Sequence, residues 1–143
     1  MSDPLSVAAS IAGLITIADI VVRKGYHYLR DLKDVEKTAK KLIDEVNVLS
    51  GILHSLKNVA EYLESDDYQF DPATQIHYVH SCQQSLKRIQ EQLDKADPTP
   101  ASGARKMKKK VKWPFEKRKT EEFLDEIEKH KATMTLAMSA DEM

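Results

Sequence analysis

The sequence predicts an all-α protein, an antiparallel four-helix bundle with a central apolar N-terminal helix, and three observations carry that prediction. Glycine (4) and proline (5) are scarce among 143 residues, which disfavours a turn-rich sandwich or barrel. Leu, Ile, Lys, Glu and Ala dominate, and these are good helix material. Long segments also repeat their apolar residues at helical spacing and are separated by cap and breaker residues. Five helices are the alternative to four. The chain is long enough for one domain, residues 1–143, with a real core of its own.

The first helix is expected over about residues 4–30. Asp3-Pro4 supplies an N-cap followed by proline at the first helical position. From Leu5 to Val22 the only charged residue is Asp19. Apolar residues lie all round this helix, which implies burial on most sides or contact with lipid. Ser6, Ser10 and Gly13 form a narrow face of small residues, where another helix is expected to approach closely.

The second helix is expected over about 34–65. Its stripe, Val35, Ala39, Leu42, Val46, Leu49, Leu53, Leu56, Ala60 and Leu63, alternates spacings of four and three. That is a heptad seam. Leu42, Val46, Leu49, Leu53 and Leu56 are therefore candidates for an oligomer or partner-helix contact. The turn before this helix is weakly marked.

The third helix, about 72–96, opens at Asp71-Pro72 with the same cap-plus-proline signature. Its stripe is Ile76, Val79, Cys82, Leu86, Ile89, Leu93 and Ala96. A loop over 97–113 follows, beginning with two prolines and a glycine. The fourth helix, about 114–139, has a weaker stripe of Leu124, Ile127, Met134 and Met138, flanked by Phe123 and Leu136. The chain stops at Met143 with no helix-stop signal, so it is expected to be a piece of a longer protein.

The net charge of −1 hides a division. Residues 105–119 carry +8, and the rest of the chain carries −9. Such a block suggests an anionic partner or an intramolecular clasp. Arg105, Lys106, Lys108, Lys109, Lys110 and Lys112 are the candidates for anionic lipid, where each charge is worth about 1 kcal/mol. Nucleic acid ranks below lipid, because few aromatics accompany the lysines and no reading motif is present. A solvated loop and helix face is the plainest reading of the block.

Leu5 to Val22 would span about 27 Å, close to a hydrocarbon core of about 30 Å. Leu5, Val7, Ile11, Leu14, Ile15, Ile17 and Val21 are the membrane-interaction candidates. Asp19 and the many small residues argue against a permanent span. A helix hidden at rest and released on a trigger satisfies both readings.

Trp113-Pro114-Phe115 reads as a staple leading into the fourth helix rather than an interfacial anchor. Cys82 is the only cysteine, so no intrachain disulfide can form. His77 and His80 share a face near Cys82 in sequence, but zinc needs three or four converging ligands. No nucleophile elbow, phosphate-binding glycine loop or His-Glu-x-x-His motif is present. No enzyme activity, metal, cofactor or small-molecule substrate is expected.

The opening Asp3-Pro4-Leu5-Ser6-Val7-Ala8-Ala9-Ser10-Ile11-Ala12-Gly13-Leu14 resembles the start of N-terminal domains on fungal NLR-like (STAND) and ankyrin-repeat proteins. So do Lys112-Trp113-Pro114-Phe115, Glu128-Lys129-His130-Lys131-Ala132-Thr133 and Leu136-Ala137-Met138-Ser139. The similarity covers nearly the whole chain, through packing and capping motifs. It implies a signalling or effector domain ahead of a nucleotide-binding or repeat region. The related HeLo and HeLo-like domains are helical bundles that go to membranes and cause cell death, with the apolar first helix as the proposed executioner. The animal necroptosis executioner has an analogous four-helix bundle. This chain has no Asn/Gly-rich prion-like tail and no nucleotide-binding module.

The expected function is accordingly that of an N-terminal effector domain of a fungal NLR-like immune receptor, meeting anionic membrane lipid on activation. The alternative is a non-lytic module for self-association or for binding a partner helical domain. The expected location is cytoplasmic, with inducible association with the plasma membrane.

Overall fold

The computed structural model describes residues 7–31, 37–65, 72–95 and 113–141. They form four helices, α1 (Val7–Asp31), α2 (Lys37–Ser65), α3 (Pro72–Lys95) and α4 (Lys117–Asp141). The fold is an all-α helical bundle, and no strand occurs among the described residues.

Three helices bury a stripe at alternating spacings of four and three. In α1 it is Val7, Ile11, Leu14, Ala18, Val21, Gly25 and Tyr28. In α2 it is Ala39, Leu42, Val46, Leu49, Leu53, Leu56 and Ala60. In α3 it is Val79, Cys82, Leu86, Ile89 and Leu93. That spacing keeps one face turned inward along a whole helix. In α4 the buried residues are Thr120, Phe123, Ile127 and Met134. The apolar ones join a single core.

Cross-helix contacts fix the directions. Tyr26 meets Asp44 and Asp19 meets Ser50, so α1 and α2 run antiparallel. Tyr28 Oη donates to the Leu93 carbonyl at 3.1 Å, and Lys24 pairs with Asp94, so the C-terminal halves of α1 and α3 lie together. Arg88 and Ser85 meet Glu126 and His130, which makes α3 and α4 antiparallel. Lys131 reaches Glu45, and Ile52 shares a groove with Leu136, which makes α2 and α4 parallel neighbours.

Directions therefore alternate, but the order round the bundle is α1, α2, α4, α3. Among the described residues the backbones of α1 and α4, and of α2 and α3, nowhere approach within 8 Å, so these pairs lie diagonally across the core. Short links ordinarily join antiparallel neighbours. Here α2 spends its buried arc on two other helices. Ile43 and Ser50 face α1, while Glu45 and Ile52 face α4.

Two expectations about helix contacts need correction. The small face of α1 is not a close helix contact: Ser10 is only half-buried, Gly13 is exposed, and a Cβ on Gly13 would meet nothing within 4 Å. Ser6 lies outside the described residues. The stripe that packs is rotated away from that face, and its close approach is at Gly25. A Cβ there would lie 2.6 Å from Cγ1 and 3.1 Å from Cγ2 of Ile43. Burial of α1 is also one-sided, since Ala9, Gly13 and Thr16 face outward. The α2 seam offered as an oligomer contact is internal as well. Leu42, Val46, Leu49 and Leu53 are 0% exposed and Leu56 is 1% exposed.

The glycines of α1 should respond in opposite senses. Gly25→Ala should cost about 1–3 kcal/mol, because Ile43 must move within a filled core. Gly13→Ala should stabilise by up to about 1 kcal/mol through helix propensity alone. Urea titration followed by circular dichroism measures both, and equal effects at the two sites would contradict this packing.

Candidate functional site

Polar side chains between the helices form a set of latches. Ser50 Oγ donates to Asp19 Oδ1 at 2.8 Å, so the one acid of the apolar stretch of α1 is tied to α2. Tyr26 Oη donates to Asp44 Oδ1 at 2.6 Å, and Lys40 Nζ donates to Asp44 Oδ2 at 2.9 Å. Those two bonds hold the Asp44 carboxyl below its ordinary pKa, Tyr26 contributing most. Partial burial, then Asp44, push the Tyr26 phenol up to about 12. Lys131 Nζ donates to Glu45 Oε2 at 2.6 Å, each side chain about one-fifth exposed. Glu45, against opposing desolvation and with help from Glu128, raises the Lys131 pKa.

The densest latch joins α3 to α4. Ser85 is 3% exposed, and its Oγ donates to Glu126 Oε1 at 2.7 Å. The same oxygen lies 2.8 Å from His130 Nε2. The single hydroxyl proton goes to Glu126, so Nε2 carries a proton and donates to Ser85. Arg88 donates to the same Glu126 oxygen at 2.5 Å and lies 5.8 Å from the Phe123 ring centroid. A serine, a histidine and a glutamate are thus adjacent, yet in a different order from a nucleophilic triad. There the carboxylate orients the histidine and the histidine accepts the serine proton. Here the carboxylate accepts from the serine and the histidine donates to it, so the group ties two helices together.

Leading into α4, the Trp113, Phe115 and Phe123 rings stack edge to face, with centroids 5.1 and 5.4 Å apart. Trp113 Nε1 donates to Thr120 Oγ1 at 3.0 Å, and Thr120 Oγ1 donates to the Glu116 carbonyl. Trp113-Pro114-Phe115 is therefore a staple, with Phe115 6% exposed. Pro114 and Phe115, expected within the fourth helix, lie in a bend before Lys117.

Val7, Ile11, Leu14, Ile15 and Val21 are buried in the core, whereas Ile17 is half-buried. Leu5 lies outside the described residues, as do Arg105, Lys106, Lys108, Lys109, Lys110 and Lys112. Lys117, Arg118 and Lys119, at the end of the basic block, are exposed. No helix is long and apolar enough to cross a membrane among the described residues. His77 and His80 are exposed while Cys82 is buried, its thiol pushed up to about 12 by burial. No group of three metal-ligating side chains converges among the described residues.

One surface was not anticipated. Beside its buried seam α2 carries a second stripe, Val48, Ile52, Ser55, Val59 and Tyr62, again at spacings of four and three. Val48 is 49% exposed and Tyr62 is 67% exposed, with Ile52 and Val59 half-buried. Across a shallow groove, α4 contributes Ala132, Thr135 and Leu136, the last 71% exposed. The spacing was legible in the sequence, but the stronger seam beside it masked it.

The fold and these contacts define a helical-bundle domain in which polar pairs pin the helices and an apolar strip is left on the α2–α4 face. The chain belongs to the PigL_N family, described as the N-terminal region of pigment biosynthesis cluster protein PigL, whose family model matches residues 2–143. That family is found in fungal proteins. No curated protein and no solved structure matches the chain.

The α3–α4 latch makes stability depend on pH. Burial lowers the His130 pKa, with Glu126 opposing and Arg88 assisting. In the window between the folded and unfolded values the unfolded chain binds more protons, so stability rises with pH there. The contribution is complete above about 6.5, the unfolded histidine value, and is lost as pH falls through the folded one. The denaturation midpoint should drop between about pH 7 and about pH 5. His130→Gln should flatten that drop, and an unchanged pH slope would remove His130 as its source.

Proposed function

We propose that this chain is a non-enzymatic signalling domain that acts by offering helix surfaces to other helices, and that the α2–α4 face is its working surface. The observation that carries the reading is the second stripe on α2. A heptad spacing is what a neighbouring helix reads, through knobs set into holes. The strip from Val48 to Tyr62, widened by Ala132 and Leu136, is a helix-binding groove of the kind that takes apolar anchors at positions i, i+4 and i+7. The latches keep the bundle rigid beneath it. The family's description as the N-terminal part of a larger protein agrees with a domain that passes a signal rather than one that works alone.

A second reading, the membrane-directed effector of a fungal NLR-like receptor, is favoured by the outward side of α1. Ala9, Gly13 and Thr16 are exposed and Ala12, Ile17 and Ile20 are half-buried, so this side offers lipid few charges. Arg23 and Asp19 end that side, and the deeper apolar residues become available only when α1 leaves α2 and α3.

Fused ahead of a fluorescent protein in a fungal cell, the chain should gather into clusters. Val48→Glu and Leu136→Glu should leave it diffuse while preserving helicity, because both side chains are largely exposed. Clusters that persist in both variants would refute the α2–α4 reading. For the membrane reading, dye release from vesicles rich in anionic lipid should fall with Ile17→Glu. Leu14→Glu is a poorer probe, because Leu14 is 1% exposed and its replacement would unfold the bundle. Equal release by wild type and Ile17→Glu would set that reading aside.

A further inference from the structure

We propose that the occupant of the α2–α4 face is a second copy of this chain, docked about a two-fold axis running parallel to the helices. The inference rests on the reading of that face as the working surface, and it adds the partner and the orientation.

The face has two layers. Near the starts of α2 and α4, α2 presents exposed Lys37 and Lys41, and α4 presents exposed Glu121, Asp125 and Glu128. Lys41 acts on the Glu128 carboxyl, which sets both beside the groove. Further along, α2 presents Val48 and Ile52, and α4 presents Ala132 and Leu136. The Glu45–Lys131 pair fixes the register of the two helices, so the layers on α2 and α4 lie at the same height.

A closed two-fold contact must be self-complementary. An axis parallel to the helices sets α2 of one copy against α4 of the other at equal height. The Lys37 and Lys41 side chains then meet Asp125 of the partner subunit and its acidic neighbours, and Val48 and Ile52 meet Leu136 of the partner subunit. An axis perpendicular to the helices turns one copy end over end. With that axis lying in the face, α2 is set against α2 and α4 against α4, so the lysine layer of one copy never meets the acidic layer of the other, and the charges there stay unpaired. The charge layer therefore selects the parallel arrangement.

The strip from Lys37 to Ile52 is about 24 Å long at 1.5 Å per residue, and two helices are about 20 Å wide. The area covered is on the order of 500 Å² per copy, below the roughly 800 Å² of a standard stable interface. The dimer should thus be weak, strongly dependent on concentration, and weakened by salt through its charge layer.

Sedimentation equilibrium of the chain from about 10 μM to about 1 mM covers the range in which such a contact forms. The apparent mass should climb from 16.3 kDa toward twice that value, and less so in high salt. Leu136→Glu and Val48→Glu should each hold the chain monomeric with unchanged circular dichroism. Lys41→Glu should weaken the dimer by about tenfold, and adding Asp125→Lys should restore it, because the parallel axis sets those two positions against each other across the contact. A monomer at every concentration, a dimer indifferent to both Leu136→Glu and Val48→Glu, or a charge reversal that is not rescued would overturn the proposal. If the chain stays monomeric while the same glutamates still disperse its clusters in cells, the face serves another helix. The working surface then stands and the second copy falls.

Discussion

The bundle depends on how α2 divides its buried arc. Its seam, from Ala39 to Ala60, is almost wholly withdrawn from solvent. One flank of the seam takes α1, through Ile43 set against Gly25 and Ser50 bonded to Asp19. The other flank takes α4, through Glu45 and Lys131. No arc remains for α3, which closes the ring between α1 and α4 instead. Gly25 is where this division is tightest, because α1 can lie on Ile43 only where its own stripe lacks a side chain. The same division leaves the α2–α4 groove facing outward.

The four helix pairs are closed by different means. α1 and α2 interlock by shape at a glycine and add two hydrogen bonds to acids. α2 and α4 share an ion pair that is mostly shielded from water. α1 and α3 are joined at their C-terminal ends by a buried phenol and an ion pair. α3 and α4 meet less extensively, and there the serine, histidine, glutamate and arginine concentrate. A hydrogen-bonded group fixes relative position more sharply than apolar contact does. It therefore gives the thinnest pair a definite register, and its histidine makes that pair responsive to mild acid.

Much of this was legible in the sequence. The fold class, the α2 stripe from Ala39 to Ala60, the α3 stripe from Val79 to Leu93 and the Trp113-Pro114-Phe115 staple follow from spacing and breaker residues. The order of helices round the ring does not, because periodicity says which face is buried and not which neighbour covers it. The same limit explains the misplaced contact on α1. Ser6, Ser10 and Gly13 are small and aligned, but the stripe through Ile11, Ala18 and Gly25 is the one that packs. Gly25 itself carried a signal, since it falls on the four-three pattern between Val21 and Tyr28. The Ser85–His130 latch was hidden because its members are 45 residues apart. The outer stripe on α2 is visible as a spacing, but the more apolar seam beside it dominates the periodicity of the helix.

The diagonal placement of α1 and α4 among the described residues has a further consequence. The outward surfaces of diagonal helices exchange free energy mainly through the two helices that lie between them. Changes on the outward sides of α1 and α4 should therefore combine nearly additively, as they do for distant sites. The surface of α4 can then drift to suit a new binding companion without compensation in α1. The first helix, whatever it meets, is likewise free to vary on its outward side. The bundle carries two independently adjustable surfaces on one core, and the buried seam of α2 is the part least free to change.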